Sequence, residues 1–190
     1  LSYPPPLSPN AILFGGTDPG RFVPTYLVYG ANLRPDLHIL TQNALADPGY
    51  LNTLRDLYGH RIWIPDPVDS HDAFRRFADH LRVTRPDAFA ALIDSGDTLT
   101  AEGVQQVNHI NHTLLTRIAR QNHPHHPVYL EESFPIPELK PYLRPHGLLF
   151  RYDPHPARLR QTDIDRNMDF WEWLTEHHPG TPDIYTDVMA

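Results

Sequence analysis

Residues 11–21 read AILFGGTDPGR and decide the fold expected of this chain. Four apolar residues run into a pair of glycines, and Thr17, Asp18 and Pro19 follow before a second apolar-rich stretch. A buried strand that ends at a glycine turn, with a helix starting just beyond it, has this pattern. Ligands of open α/β sheets bind at the carboxyl ends of strands, so this turn is the first place to look for function.

Composition narrows the class of protein. A chain of 190 residues suits one compact domain with a substantial core. The net charge of −7 argues against nucleic acid or an anionic lipid surface as a partner. The chain has no cysteine, which excludes disulfides, thiolate catalysis and cysteine-ligated zinc. No apolar run approaches the ~20 residues that a membrane-spanning helix needs.

Strands alternate with helices along the chain. Apolar runs predict strands at residues 11–14, 37–41, 61–65, 87–94, 128–131 and 147–152. Helical spacing and capping residues predict helices after the glycine turn as far as Gly30, from Pro48 to Gly59, from a cap at Ser70, over residues 101–121 with Thr100 as cap, from Pro137 to Leu143, and from Thr162 or Asp163 onward. This alternation predicts an α/β fold, with a Rossmann-like, mostly parallel sheet and helices on both faces of a single domain.

The ends of the chain differ in composition from its middle. Residues 1–10, LSYPPPLSPN, are expected to be a proline-rich connector, so the chain is expected to be a piece of a longer protein. Residues 11–152 are expected to form the α/β domain. Residues 153–190 are expected to be a linker followed by a C-terminal helix docked on that domain.

The glycine turn offers the first candidate site, formed by Gly16, Thr17, Asp18 and Arg21. Backbone N–H groups at a helix N-terminus attract an anion, but the turn lacks both G-x-G-x-x-G and G-K-[ST]. A carboxylate at Asp18 would also repel phosphate, so a neutral polyol hydroxyl or a cation suits the turn better. The alternative is a tight turn in which an aspartate caps the helix and pairs with Arg21.

Polar side chains end three further predicted strands and form the second candidate site. They are Asn43, Asp94 with Asp97, and Glu131 or its neighbour Glu132. If these strand ends share one edge of the sheet with Asp18, the carboxylates would bind Mg²⁺ or Ca²⁺ or perform acid–base chemistry. Asn43 would read sugar hydroxyls. The alternative for each residue is an ordinary role in a polar loop.

Histidines and aromatic residues give weaker evidence for a functional site. His109 and His112 are three residues apart on a predicted helix, but no H-E-x-x-H motif is present, and neither a metal nor a cofactor is predicted. Aromatic residues near the C-terminus would form either a sugar-stacking surface or part of the core. They are Tyr142, Tyr152, Phe170, Trp171 and Trp173, of which Trp171 is expected in the core.

Several segments together resemble a known family. They are ILFGGTDPGRFVPTYLVYG, LRPDLHILTQNALAD, YLNTLRDLYG, RIWIP, VNHINH, YLEESFPIPELKPYLRPHGLLF and RNMDFWEWL. In order, they resemble multi-spanning membrane proteins related to protein O-mannosyltransferases, which carry a C-type glycosyltransferase fold. The resemblance implies that this chain is the α/β domain that follows the transmembrane region, on the side of the membrane opposite the cytoplasm. It also implies that the carboxylate that activates the acceptor lies in a loop outside this chain.

Three functions are open at this point. The first is an extracytoplasmic domain, tethered to a membrane, that binds or positions a glycan or polypeptide acceptor for the transmembrane portion of the same protein. The second is a structural module without a ligand, which packs on that portion through Trp173 and the C-terminal helix. The third is an enzyme that uses a divalent ion at a carboxylate rim. The first two predict a domain that is not catalytic by itself, with no nucleic-acid partner.

Overall fold

The fold is seen in a computed structural model, which describes residues 6–95, 101–123, 125–131, 136–156 and 158–177; the side chains of residues 91–95 and 101–102 lie outside this description. Within these residues, the sheet has five strands. They are β1 (Ile12–Gly15), β2 (His38–Thr41), β3 (Val128–Glu131), β4 (Leu143–His146) and β5 (Leu149–Tyr152).

The spatial order of the strands is β2-β1-β3-β5-β4. Strand β1 is parallel to both β2 and β3, whereas β5 is antiparallel to β3 and β4. Because three adjacent strands are parallel, their carboxyl ends meet at one edge of the sheet. The prediction of a single Rossmann-like α/β domain is confirmed.

In the part of the chain that the structure describes, six α-helices connect and cover these strands. They are α1 (Asp18–Thr25), α2 (Pro48–Tyr58), α3 (Pro67–Thr84), α4 (Pro86–Ser95), α5 (Ala101–Asn122) and α6 (Gln161–His177). A π-helical segment, Tyr26–Gly30, continues α1 directly, and 3₁₀ turns occupy Gln42–Ala44 and Pro137–Tyr142. Pro24 lies inside α1 and has no backbone N–H to donate, which explains why the regular helical ladder changes there.

The main core lies on one side of the sheet, here called the packed face. Ile12, Phe14 and Leu40 point to this side and contact apolar residues of α2, α3 and α5. Leu114 and Ile118 of α5 are completely buried there. Leu57 of α2 and Val104 of α5 lie at helical spacing on these helices but are well exposed.

The opposite side, here called the second face, is covered by smaller elements. Leu13, Ile39 and Tyr129 form its core with Val28 of the π segment, and Leu7 packs against them. Tyr129 of β3 is opposite Arg151 of β5, which is opposite Arg144 of β4, so these three side chains lie on the same side of the sheet. The Arg144 guanidinium pairs with Asp163 of α6 at 3.2 Å, which places α6 on the second face. Helices therefore lie on both faces.

The strand predicted at residues 87–94 is wrong, because this segment is α4. Pro86 occupies the first turn, where its missing N–H costs nothing, and the Phe89 N–H donates to the Arg85 carbonyl at 3.0 Å. Alanine favours a helix over a strand, and Ala88 and Phe89 pack on Phe77 and Leu81 of α3. This helix covers the apolar side of α3 and contributes nothing to the sheet.

The strand predicted at residues 61–65 is also absent from the sheet, for a different reason. The side-chain amide of Asn122, at the end of α5, forms hydrogen bonds with both backbone groups of Trp63. The Trp63 N–H donates to Asn122 Oδ1 at 2.7 Å, and Asn122 Nδ2 donates to the Trp63 carbonyl at 2.9 Å. Ile62 and Ile64 still enter the packed core. The apolar side chains of this segment are buried as those of a strand would be, but the backbone hydrogen bonds of Trp63 go to a side chain rather than to a neighbouring strand.

Element ends differ from the predictions in three places. Asp66, not Ser70, caps α3, since its carboxylate accepts from the Asp69 N–H while Asp69 accepts from the Asp66 N–H. The last helix starts at Gln161, before either predicted cap. The predicted strand at residues 147–152 is the second arm of a hairpin, whose turn is made by Gly147 with φ of +65°. The cap predicted at Thr100 lies outside the described residues.

Candidate functional site

The carboxyl ends of β1, β2 and β3 bring together four of the predicted site residues. These four, Gly16, Thr17, Asn43 and Glu131, are here called the turn cluster. Gly16 and Thr17 follow β1, Asn43 follows β2 and Glu131 ends β3. The strand order places β1 between the other two, so the β1–α1 turn lies at the centre of the cluster.

The Glu131 carboxylate is seated in the β1–α1 turn. Its Oε2 accepts hydrogen bonds from the Gly16 N–H at 2.7 Å and from the Thr17 N–H at 2.9 Å. Its Oε1 accepts from the Thr17 hydroxyl. Hydrogen bonds to an ionised acceptor are about twice as strong as those between neutral groups. The carboxylate therefore ties the end of β3 to the start of α1.

This arrangement is an anion site whose ligand belongs to the chain itself. Consecutive backbone N–H groups before a helix N-terminus form the concave donor set that binds phosphate in other proteins. Here the donors of Gly16 and Thr17 point at Glu131, and a second anion in the same place would meet a negative charge. The turn is thus built for a carboxylate and closed to an external phosphate in this state.

Glycine is required at position 15 by the backbone of Gly20, and at position 20 by the seated Glu131 carboxylate. A Cβ on Gly15 would lie 2.1 Å from the Gly20 carbonyl oxygen, and a Cβ on Gly20 would lie 2.0 Å from Glu131 Oε2. Thr17 caps α1, accepting from the Gly20 N–H at 3.2 Å through its hydroxyl oxygen. The close approach of the helix start to β1 and β3 therefore depends on small residues on both sides of the cap.

Asp18 and Arg21 pair with each other at the surface beside the turn cluster. Arg21 Nη2 lies 2.6 Å from Asp18 Oδ1, and the Asp18 side chain is 74% exposed. The Arg21 guanidinium also lies over the Phe22 ring, 4.5 Å from its centroid. The helix is capped by Thr17 rather than by Asp18, but the ion pair between Asp18 and Arg21 is the one that the sequence allowed as the alternative to ligand binding.

Asn43 links the turn to the packed face. Its Nδ2 donates to the Gly16 carbonyl at 3.2 Å, and its own carbonyl accepts from Asn111 Nδ2 at 3.1 Å. Asn111 of α5 is almost fully buried and also accepts from the Ala46 N–H at 2.7 Å. This chain of amides fixes the loop after β2 against α5, a role that the polar sequence of Gln42 and Asn43 left open.

Asp94 is not brought to this edge by a strand. Asp94 belongs to α4, a helix that packs on α3, and its side chain lies outside the description. Asp97 and Glu132 lie outside the described residues altogether. A carboxylate rim that combines Asp94 with Asp18 rested on residues 87–94 forming a central strand, and that premise fails.

Histidines on α5 sit in a partly buried environment. His112 Nδ1 lies 3.6 Å from Glu138 Oε2. Burial lowers the pKa of His109 and His112 below the usual 6.5, and the nearby Glu138 carboxylate opposes that shift. Across residues 6–177, apart from the gaps named above, no group of three or more His, Asp or Glu is placed to hold a metal ion.

The aromatic residues near the C-terminus divide between core and surface. Tyr152 and Phe170 are buried, so neither offers a face to a sugar. Trp171 and Trp173 are half-buried, and the Trp173 ring stacks on His177 with centroids 4.8 Å apart. The core residue of α6 is therefore Phe170, which packs on Gly147, rather than Trp171.

The most conspicuous surface was not singled out as a site from the sequence. Large apolar side chains project outward along α1, the π segment and the residue group just after it, here called the apolar stripe: Phe22, Val23, Tyr26, Leu27, Tyr29 and Leu33. Phe22, Tyr26 and Tyr29 lie at spacings of four and three residues, which favours one shared face on a helix. In the structure, no residue of α1 is buried, and this helix is described throughout. In the sequence, residues 22–33 contain no charged residue.

Comparison of the chain with family models, with curated proteins and with solved structures found no match. Within the described ranges, none of the helices is both long enough and apolar enough to cross a bilayer. The resemblance to membrane proteins related to protein O-mannosyltransferases therefore stays a prediction.

Proposed function

We propose that this chain is a non-catalytic interaction domain of a membrane-tethered, glycosyltransferase-like protein, facing the side opposite the cytoplasm. The observation that carries the non-catalytic part is the seating of Glu131. The groups that a parallel sheet usually offers to a ligand, Gly16 N–H, Thr17 N–H and the Thr17 hydroxyl, are used to hold the domain's own carboxylate. The membrane-protein parentage comes from the resemblance of the sequence segments.

The domain would act by holding other parts of the protein in place. In α6, Met168 is exposed, and Trp171 and Trp173 are half-buried beside the buried Phe170. A half-buried tryptophan presents a large apolar area with a polar N–H, which suits a protein contact. This helix is the proposed contact with the transmembrane portion.

A titration followed by amide NMR tests the non-catalytic assignment. Mono- and oligosaccharides and Mg²⁺ are added to the 190-residue chain, and the Gly16, Thr17 and Asn43 signals are followed. We expect these signals to stay in place, whereas Glu131→Gln shifts the Gly16 and Thr17 amides because it removes their ionised acceptor. Saturable shifts at the three amides with a sugar or the ion would contradict the proposal.

The full-length reading frame tests the parentage separately. We expect about ten or more membrane-spanning segments of ~20 apolar residues upstream of residue 1. A frame that encodes only these 190 residues would overturn the membrane tether while leaving the closed turn cluster unaffected.

Acceptor binding remains a second candidate because two exposed polar side chains flank the turn, Asp18 and Asn43. Asp18 uses Oδ1 for Arg21, and a carboxylate has a second oxygen that accepts hydroxyl hydrogen bonds. In the same titration, acceptor binding would move the Asp18 and Asn43 signals and would be lost in Asp18→Asn.

A further inference from the structure

The apolar stripe is a large surface for a chain of this size. Its six side chains are between 39% and 68% exposed. Since an aromatic side chain presents about 150–250 Å² when fully exposed and an aliphatic one less, the stripe offers on the order of 600 Å². That is at the upper end of the largest patch found on a typical monomer, roughly 300–600 Å², and patches of this size are often functional.

The chemistry of the stripe fits a protein partner. Residues 22–33, FVPTYLVYGANL, contain no charged residue, and three of the six side chains are Phe or Tyr. Depletion of charge with enrichment of aromatic residues is typical of the centre of protein interfaces. A helix that lies on a lipid surface carries Lys and Arg on its polar side, whereas α1 has only Arg21, which is paired with Asp18.

The charges at the two ends of the stripe are opposite. Asp18 stands at the start of α1 with most of its carboxylate exposed. At the far end, Tyr29 contacts the Tyr58 hydroxyl, and the exposed Arg61 guanidinium lies 5.5 Å from the centre of the Tyr58 ring. In the part of the chain that the structure describes, Arg61 has no carboxylate partner. The stripe thus ends in an exposed carboxylate, already paired with Arg21, on one side and in an exposed guanidinium on the other.

We propose that the apolar stripe binds a second copy of this chain, with the two stripes antiparallel across a two-fold axis. In that arrangement, Asp18 of each copy faces Arg61 of the other, and the charge-free residues meet in the middle. Burial of the stripe on both copies would remove roughly 1,200 Å² of surface, which is the lower limit for a specific interface. An interface at this lower limit is typical of a reversible dimer rather than an obligate one.

This inference deepens the proposed function and rests on it, because it names a partner for an interaction domain. The two can fail separately. Sugar binding at the turn cluster would contradict the proposed function and would not affect the dimer proposal. A chain that stays monomeric would contradict the dimer proposal and would not affect the proposed function.

Sedimentation velocity of the 190-residue chain from low micromolar to several hundred micromolar tests the dimer. We expect a concentration-dependent shift from monomer to dimer. Tyr26→Asp places a charge in the middle of the stripe and should raise the dissociation constant at least tenfold. Val83→Asp is the matched control, because Val83 is the most exposed of the large apolar side chains on α3, outside the stripe, and should leave dimerisation unchanged. Circular dichroism confirms that both variants fold.

A charge exchange tests the antiparallel arrangement. Arg61→Asp should weaken the dimer, and the double variant Asp18→Arg/Arg61→Asp should restore it toward the wild-type affinity. Three outcomes would overturn the proposal: a wild-type chain that stays monomeric over the whole range, a Tyr26→Asp chain that still dimerises, or a monomer that instead co-sediments with phosphatidylcholine vesicles.

Discussion

Helices α1 and α5 both carry apolar residues at helical spacing, yet only one of them enters the core. Leu114 and Ile118 of α5 are completely buried on the packed face, whereas Phe22 and Tyr26 of the α1 segment are more than half exposed. Both patterns predict a helix with an apolar side. Periodicity identifies such a side, but it does not say whether another part of the same chain covers it.

Different forces hold the two helices in place. Helix α5 crosses the packed face and contacts α3, so apolar burial fixes it. Helix α1 sits at the ends of β1 and β2, and its first residues are fixed by Thr17 and by the Glu131 carboxylate. We therefore expect a change in α5 to affect the whole fold and a change at the start of α1 to act locally.

The largest effect is expected from Leu114→Ala in α5. Deletion of a fully buried leucine leaves a cavity and should lower the free energy of unfolding by about 2–5 kcal/mol. Leu27→Ala in the apolar stripe is the control and should change it by less than about 0.5 kcal/mol at monomeric concentration. Urea denaturation measures both. Equal losses would show that α1 is part of the same packed unit as α5.

The same contrast explains which parts of the fold were predictable. The β1–α1 turn, α2, α5 and β3 were predicted because a local pattern of apolar residues and turn residues matches the final structure. Residues 87–94 and 61–65 were misassigned because tertiary contacts decided them. The first segment packs as a helix on α3, and the second gives its backbone hydrogen bonds to Asn122. Neither contact leaves a signal in the local sequence.

Asn122→Ala should have the next largest effect, because it breaks the connection between α5 and residues 61–65. It leaves the Trp63 N–H and carbonyl without the amide that binds them, and it removes a bond from Asn122 Nδ2 to the Ile118 carbonyl at 2.9 Å. Unsatisfied buried polar groups cost about 1–3 kcal/mol each, so we expect a loss of about 2–3 kcal/mol in urea denaturation.

The exposed Asn108 on the same helix provides the control for that experiment. Asn108→Ala should leave the stability nearly unchanged, since alanine has a higher helix propensity. If both asparagine variants lose the same stability, residues 61–65 are held by their apolar contacts alone.

The candidate site was predicted in part for a clear reason. Parallel neighbours bring their carboxyl ends together, so the strands before Gly16, Asn43 and Glu131 were enough to place these residues at one edge. The sequence did not reveal that Glu131 fits into the turn, because this depends on the register of β1 and β3 and on the absence of a side chain at Gly20. Asp94 was included only because its helix resembled a strand.

Glu131→Gln tests whether α1 is held by this carboxylate. The glutamine keeps the shape but removes the charge, and hydrogen bonds to a charged group contribute about 1.5–3 kcal/mol, so we expect a loss of about 1–2 kcal/mol. Hydrogen exchange should quicken at Gly16, Thr17 and Gly20 while α5 keeps its protection. Glu138→Gln, a change at an exposed carboxylate on the packed face, should alter neither. Faster exchange throughout α5 would mean that the two helices are not independent.

The smallest effect is expected from acid, and it should act on the packed face rather than on α1. His38 of β2 is 1% exposed, pairs in register with Ile12, and has an Nε2 without a hydrogen-bond partner in the described structure. Burial is the main cause that lowers its pKa below 6.5, and the charges of Arg61 and His126 add to this, while the Ala11 carbonyl and Asp36 oppose it.

Because the pKa of His38 is lower in the folded chain than in the unfolded chain, the unfolded state takes up the proton first as the pH falls. The stability that comes from neutral His38 is therefore complete above about pH 6.5 and decreases below it. His109, His112 and His123 have pKa values lowered by burial in the same direction.

Urea denaturation at stepwise lower pH should show this decline in the free energy of unfolding, and His38→Phe should make it shallower. An unchanged slope in that variant would mean that the other three histidines account for the acid sensitivity. Since none of these four histidines lies on α1, the amide exchange of Gly16 and Thr17, corrected for the intrinsic pH dependence, should not follow the same curve.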